Sequence, residues 1–309
     1  MIRILVRRLG SSILVLLGVL TIIFIVVRVV PGDPATLILG ASATHAQIEA
    51  LRASLGLDKP LLTQYFEFMA NAVRFNFGDS YRLGGSAMGQ VLQALPATLL
   101  LGATSMLLVL VLSIFGGITA ARRPGSVLDR TISGGAMVLQ SLPQFWLGII
   151  LIILVAGLWR LLPSGGSGSP LNLILPSITM AASFLGMLTK IVRNSSLEQA
   201  GEGFVQTARA KGMSEQRVFY IHILRNGLIP VVTLAGLVLG VFLGSAVVVE
   251  TVFAWPGVGR LLIQSILLRD YPVVEAAVFI FALIYIALNL VVDIVYGLID
   301  PRVRVAVAA

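Results

Sequence analysis

Residues 198–230, EQAGEGFVQTARAKGMSEQRVFYIHILRNGLIP, are the most polar and most basic stretch of an otherwise apolar chain. Over 204–211 the spacing predicts a short helix with Phe204, Ala208 and Lys211 along one side. Gly212 suits the left-handed conformation that ends a helix, and Ser214 suits the cap of the next, whose apolar side is Val218, Ile221, Ile223 and Leu224. This is the chemistry of a surface gripped by another protein. Ala208, Ala210 and Gly212 are small enough for close approach, and Phe204 and Thr207 lie beside them. Arg209 and Lys211 offer charge, either to a partner or to the carbonyl end of their own helix. A purely structural amphipathic connector would not need the small residues.

Other chemistries lack their residues. No G-x-x-x-x-G-K-[ST] run is present, so the chain has no P-loop of its own, and no H-E-x-x-H occurs. The chain has no cysteine, which excludes a disulfide framework and thiol chemistry, and two histidines leave little for a soft metal. His45 reads as a solvated residue at a helix start. His222 lies in the basic stretch, away from any Ser/His/Asp arrangement. No metal, catalytic residue or resident cofactor is expected.

The elements that position this stretch are hydrophobic. Of 309 residues 57% are hydrophobic and 12% charged, with mean hydropathy +0.98. A soluble domain carries about 25% charged residues, so this chain is built for lipid. Six runs are long enough to cross a bilayer as helices: 9–30, 95–121, 132–159, 171–192, 227–249 and 276–299. The first resembles a signal peptide but is too long for one and reads as an uncleaved span.

Charge orients them. With both ends on one side, that side holds Arg3, Arg7, Arg8, Arg122, Arg123, Arg130, Lys190, Arg193, Arg209, Lys211, Arg217, Arg225, Arg302 and Arg304. Its acids are Asp129, Glu198, Glu202, Glu215, Asp293 and Asp300, so the whole net charge of +8 falls there. That predicts cytoplasmic termini and a cytoplasmic loop at 193–226. Basic residues at membrane borders also remove the nucleic-acid reading that a pI near 10.4 would otherwise invite. The expected organisation is a cytoplasmic start and first span (1–30), an extracytoplasmic helical segment (31–94), a five-helix core (95–299) and a cytoplasmic tail (300–309).

In the outer segment, Pro31-Gly32-Asp33-Pro34 breaks the first helix. Thr44 and Gln47 fit a capping box, and a second helix follows Pro60. Residues 161–170, LLPSGGSGSP, read as a flexible turn. After the tight turn at Trp255-Pro256-Gly257, residues 258–268 read either as a helix dipping among the spans or as an interfacial helix with a Trp anchor. Uncharged polar residues recur in the spans, among them Thr98, Thr104, Ser105, Ser177, Thr179 and Asn289, as helix–helix glue or pathway lining. Gln140 and Gln144 share a face at i, i+4 of the third span, with Pro143 loosening it. These two, with Trp255 and Asn289, are the candidate pathway residues. Asp293 is about 6 residues, roughly 9 Å of helix rise, from the end of its run, and is expected to snorkel or pair near the cytoplasmic interface rather than relay protons.

The segment VQTARAKGMSEQRVFYIHILRNGLIPVVT resembles the cytoplasmic loop of permeases of peptide-class bacterial ABC importers, the dipeptide, oligopeptide, glutathione and nickel group. The importer signature EAA-x3-G-x9-I-x-L-P falls with Gln206, Thr207 and Ala208 at EAA, and with Gly212 and Leu224 matching. His222 and Arg225 depart from it, and the proline appears at Pro230. VVPGDP (29–34), LGLDKPLLTQY (55–65), NFGDS (76–80), ETVFAWPGVGRLL (250–262), RDYPVV (269–274) and NLVVDIVYGLIDPRVR (289–304) are similar to the same family in the same order.

The resemblance implies an all-α type I importer permease of six transmembrane helices in the bacterial inner membrane. It further implies a homologous second permease, two ATPase subunits that bind the ATP, and an extracytoplasmic solute-binding protein. The helix at 204–212, expected to be continuous with the fourth and fifth spans, would couple them to the ATPase. The rival is a self-sufficient secondary transporter or channel, which would need mid-membrane charges or an inverted repeat.

Overall fold

A computed structural model describes residues 2–29, 34–40 and 43–299. The Pro31-Gly32-Asp33 break, the 300–309 tail and the side chains of Arg3, Arg7, Arg8 and Asp293 lie outside the described residues. Among those residues the chain is helical, with one isolated bridge, Asp79 to Ser86. Five helical stretches are long and apolar enough to cross a membrane, and a bent helix pair makes six if it is one span. The structure divides into two compact units, 1–98 with 256–287, and 99–255 with 288–309.

The first unit contains α1 (Ile2–Val29), α2 (Pro34–Leu39), α3 (His45–Ser54), α4 (Leu61–Val73), the start of α5 (Ala87–Arg122), and α13 and most of α14, given below. Thr44 caps α3 through the expected box: its hydroxyl accepts from the Gln47 N–H, and the Gln47 side-chain Oε1 accepts from the Thr44 N–H at 2.9 Å. His45 is exposed at the start of that helix. Phe24, Phe68, Phe77 and Phe279 pack edge-on or tilted in the core, with centroids 5.2–6.1 Å apart. The carboxylate of fully buried Asp270 accepts from the Ser80 hydroxyl and from the Tyr81 and Arg82 backbone N–H groups. The NFGDS and RDYPVV segments, about 190 residues apart in sequence, therefore meet.

The second unit is built around α8 (Ile174–Ala200), a 27-residue helix. Against it pack α6 (Val127–Ser141), α7 (Gln144–Leu151, continuing as a π-helical turn through Leu158) and α12 (Ile229–Val252). α13 is Val258–Leu268 and α14 is Tyr271–Ile299. Close approach at Gly186 sets the α6–α8 contact, since a Cβ there would lie 2.8 Å from the Ala136 carbonyl oxygen. Thr104 and Ser177 share a hydrogen bond of 3.0 Å between α5 and α8, and Phe184 stacks on Phe242 at 4.7 Å. Thr98 accepts from the Val258 N–H within the first unit. Thr98, Thr104 and Ser177 thus act as glue.

Two expectations are corrected. The third span is not one straight helix: α6 and α7 meet at 103°. Pro143 has no N–H to continue the helix and forces Leu142 into extended backbone at φ −77°, ψ 133°. The 161–170 turn is not a free flexible link either. Gly166 N–H donates to the Phe253 carbonyl at 2.9 Å, and a Cβ on Gly165 would overlap that carbonyl.

Candidate functional site

The basic stretch folds as a small structured loop at the end of α8. After a break at Gly201 and Glu202 comes α9 (Gly203–Ala210), then a turn, then α10 (Glu215–Arg217) and α11 (Arg225–Gly227) with a π-helical run, Val218–Leu224, between them. The turn is a Schellman ending. The Met213 N–H donates to the Ala208 carbonyl and the Gly212 N–H to the Arg209 carbonyl, with Gly212 at φ +76°. Ser214 takes the extended N-cap conformation but its side chain makes no capping bond.

The faces of α9 differ from the sequence reading. Val205 and Ala208 are buried against Val218 and Ile223, with Met213 and Phe219 beside them. Phe204, Gln206, Thr207, Arg209, Ala210 and Lys211 are exposed, as is Gly212. Ala208 is thus buried while Phe204 and Lys211 are exposed, because in a loop this short the inward face must fill its own core. Ala208 is a packing residue, and Ala210 and Gly212 are the small residues left open to a partner. Arg209 grips Glu215 with two hydrogen bonds, 2.8 and 3.1 Å, and this pair pins α9 to α10 across the turn. The Glu215 bond raises the Arg209 pKa further, though between exposed partners it adds little stability.

The link from α9 to the spans is not helix continuity, since Gly201-Glu202 and the Gly212 turn separate it from both. It is packing. Phe219 belongs to the core under α9 and also to a second cluster, where Leu224 and Leu228 meet Ile118 of α5, Val192 of α8 and Val231 of α12. The Arg122 guanidinium sits 5.8 Å from the Phe219 ring centroid and 6.0 Å from that of Tyr220.

Nearby, Arg193 of α8 forms a two-pronged ion pair with Asp129 of α6 at 2.6 and 2.7 Å, and Asp129 also accepts from the Gly125 N–H. Both charges are plain in the sequence, but their pairing is not. Ser126, whose hydroxyl accepts from the Asp129 N–H, was the available signal of a helix start with an inward acid.

The candidate pathway residues differ in exposure. Gln140 is exposed near the end of α6, whereas Gln144 opens α7 beyond the bend, so the i, i+4 face does not exist. The Gln144 amide nitrogen is buried without a hydrogen-bond partner among the described residues. Trp255 is 4% exposed, which removes the surface-anchor reading, and Asn289 is half-buried on α14.

Residues 113–305 match the family described as binding-protein-dependent transport system inner membrane component, and residues 1–102 match its N-terminal counterpart. The chain belongs to this family. It is similar to the oligopeptide transport system permease protein AppB of Bacillus subtilis, 37% identical over 97% of this chain and 98% of that one. It is also similar to the glutathione transport system permease protein GsiC of Escherichia coli, 40% identical over 97% and 98%. In fold it is like a chain of the MetNI methionine ABC transporter in an inward-facing form, with TM-score 0.58 at 20% identity over 69% of this chain and 97% of that one. As a family member with five to six apolar spans, the chain is a multi-pass inner-membrane permease of the type I ABC importer fold.

Proposed function

We propose that this permease forms half of the translocation pathway of an ATP-driven importer for di- or oligopeptides or related small solutes such as glutathione. It would pair with a homologous permease, two ATPase subunits that bind the ATP, and an extracytoplasmic solute-binding protein. The observation that carries the coupling role is the construction of α9. Two residues lock it to its own loop, a Schellman turn and the Arg209–Glu215 pair fix its end, and the remaining side chains face outward at the end of the bundle.

Closure of the ATPase dimer would move α9 as a body. Phe219 and its neighbours would pass that movement to α5, α8 and α12 together, a rigid two-state shift. Thr207, Arg209, Ala210, Lys211 and Gly212, with Phe204, are the contact residues; Ala208 supports them from beneath.

The test is uptake into proteoliposomes containing the complete complex. Uptake should require ATP and ignore a protonophore; uptake that stops with the protonophore while ATP remains abundant would favour a secondary transporter. Gly212→Val should assemble normally yet lose substrate-stimulated ATP hydrolysis. A Cβ at Gly212 meets nothing within 4 Å, so the penalty is conformational, about 1–2 kcal/mol for an L-residue held left-handed. Gly212→Asn, which tolerates that conformation, should retain most activity. Normal coupling in the valine variant would refute the role of this turn.

A further inference from the structure

Where α5 ends, it lies against the run that leads from α10 into α12. Ile118 of α5 packs with Leu224 and Leu228, and one turn later Arg122 lies beside the Phe219 and Tyr220 rings. The last turn of α5 and the first turn of that run therefore sit at the same end of the unit. Residues Glu215–Gly236 are apolar enough to enter a bilayer. Along them Arg217, Ile221 and Arg225 follow at four-residue steps and are all exposed, as is Tyr220; further on, Ile229 and Val232 are exposed too. Exposed apolar residues with arginine and tyrosine gathered at one end are what a helix presents where it passes from hydrocarbon into headgroups.

The charge at this end is not balanced by protein. Arg122 and Arg123 are exposed, and among the described residues no carboxylate pairs with either of them, or with Arg217 or Arg225. The acids close to them in sequence, Asp129 and Glu215, are already held by Arg193 and Arg209. Arg122 lies instead beside two aromatic rings, a contact that orients its guanidinium and leaves its charge in place. A guanidinium fork matches the oxygens of a phosphate, and a phenol hydroxyl donates to the same group.

We propose that this surface docks an anionic phospholipid of the phosphatidylglycerol class, its phosphodiester among these arginines and the Tyr220 hydroxyl and its acyl chains along Ile229 and Val232. Arginines clustered at the border of a span attract anionic headgroups. The occupant is a lipid because the exposed apolar residues run on from the arginines into the span, where a free phosphate or an acidic peptide has nothing to cover them. A headgroup held there would brace the junction of α5 with the run that packs beneath α9. The proposal depends on the membrane location of the chain and not on the coupling reading, so lipid contact measured without ATP tests it independently.

The experiment uses the assembled complex in nanodiscs of phosphatidylcholine containing a minor fraction of phosphatidylglycerol. The chain has no cysteine, so Ile221→Cys carries a single bimane fluorophore once the partner subunits are made cysteine-free. Bromine on the acyl chains of one lipid or the other quenches the fluorophore only at contact. Per lipid, brominated phosphatidylglycerol should quench about fivefold more than brominated phosphatidylcholine, the preference that one arginine near a headgroup supplies. Arg123→Gln combined with Arg225→Gln removes two exposed charges that no described carboxylate pairs with, so the fold is kept and the ratio should fall below about twofold. Equal quenching by the two lipids would overturn the proposal, as would a ratio unchanged in the double variant. Quenching by neither lipid would mean that protein, a second permease or an ATPase subunit, covers this face, and would overturn it as well.

Discussion

Two alanines, Ala208 and Ala210, sit two positions apart in the sequence and on opposite faces of α9, one against Val205 and Val218 and the other exposed. Lengthening each side chain to leucine separates the loop's interior from its grip. Ala208→Leu must push apart the core that ties α9 to Phe219. It should cost about 1–3 kcal/mol, as overpacking does, seen as a lower melting temperature of the purified complex. Ala210→Leu adds bulk to open surface, so stability should change by no more than about 0.5 kcal/mol. Substrate-stimulated ATP hydrolysis should nevertheless fall, because the added bulk holds the ATPase away. If Ala210→Leu hydrolyses ATP with full stimulation, the exposed face is not where the ATPase binds.

At the scale of elements, local signals were legible and long-range ones were not. The Thr44–Gln47 box and the Gly212 ending each depend on neighbours within a few residues, so residue type and spacing suffice to read them. The bend at Leu142-Pro143 leaves hydropathy unchanged, because composition carries no direction. The proline was visible, but the 103° turn depends on how α7 packs against α8 and α12. The inward turn of Ala208 was equally hidden, since a one-helix pattern cannot say which face a short loop will fold upon.

The Asp129–Arg193 pair, 64 residues apart, joins α6 to α8, and the local Ser126 cap marks the helix start without naming the partner. Asp129 is nearly buried, so removing one partner strands the other. Arg193→Met alone should reduce the yield of folded, monodisperse complex several-fold. Asp129→Leu combined with Arg193→Met should restore much of it, because two apolar groups strand no charge. Size-exclusion profiles of the three proteins decide this; a double variant as poor as the single would mean the pair does more than hold the helices together.

For the molecule as a whole, sidedness follows from charge. Every unit of the net charge of +8 falls on the side that would hold both termini and the α9 loop, and the other side balances to zero. Short loops rich in Lys and Arg stay in the cytoplasm during insertion, so this distribution predicts which side the ATPase would meet. A coupling role for α9 requires the same side for an unrelated reason, since ATP is in the cytoplasm. Charge and coupling must therefore place α9 on the same side.

The chain has no native cysteine, which makes the test clean. Ser214, exposed just beyond the Gly212 turn, is replaced by cysteine, and a second variant carries cysteine at exposed Asn71 of α4. In intact spheroplasts a membrane-impermeant maleimide should label the Asn71→Cys protein and leave the Ser214→Cys protein unlabelled until the membrane is opened. Labelling of Ser214→Cys in sealed cells would put α9 outside, out of reach of any ATPase, and both the topology and the coupling role would fall together.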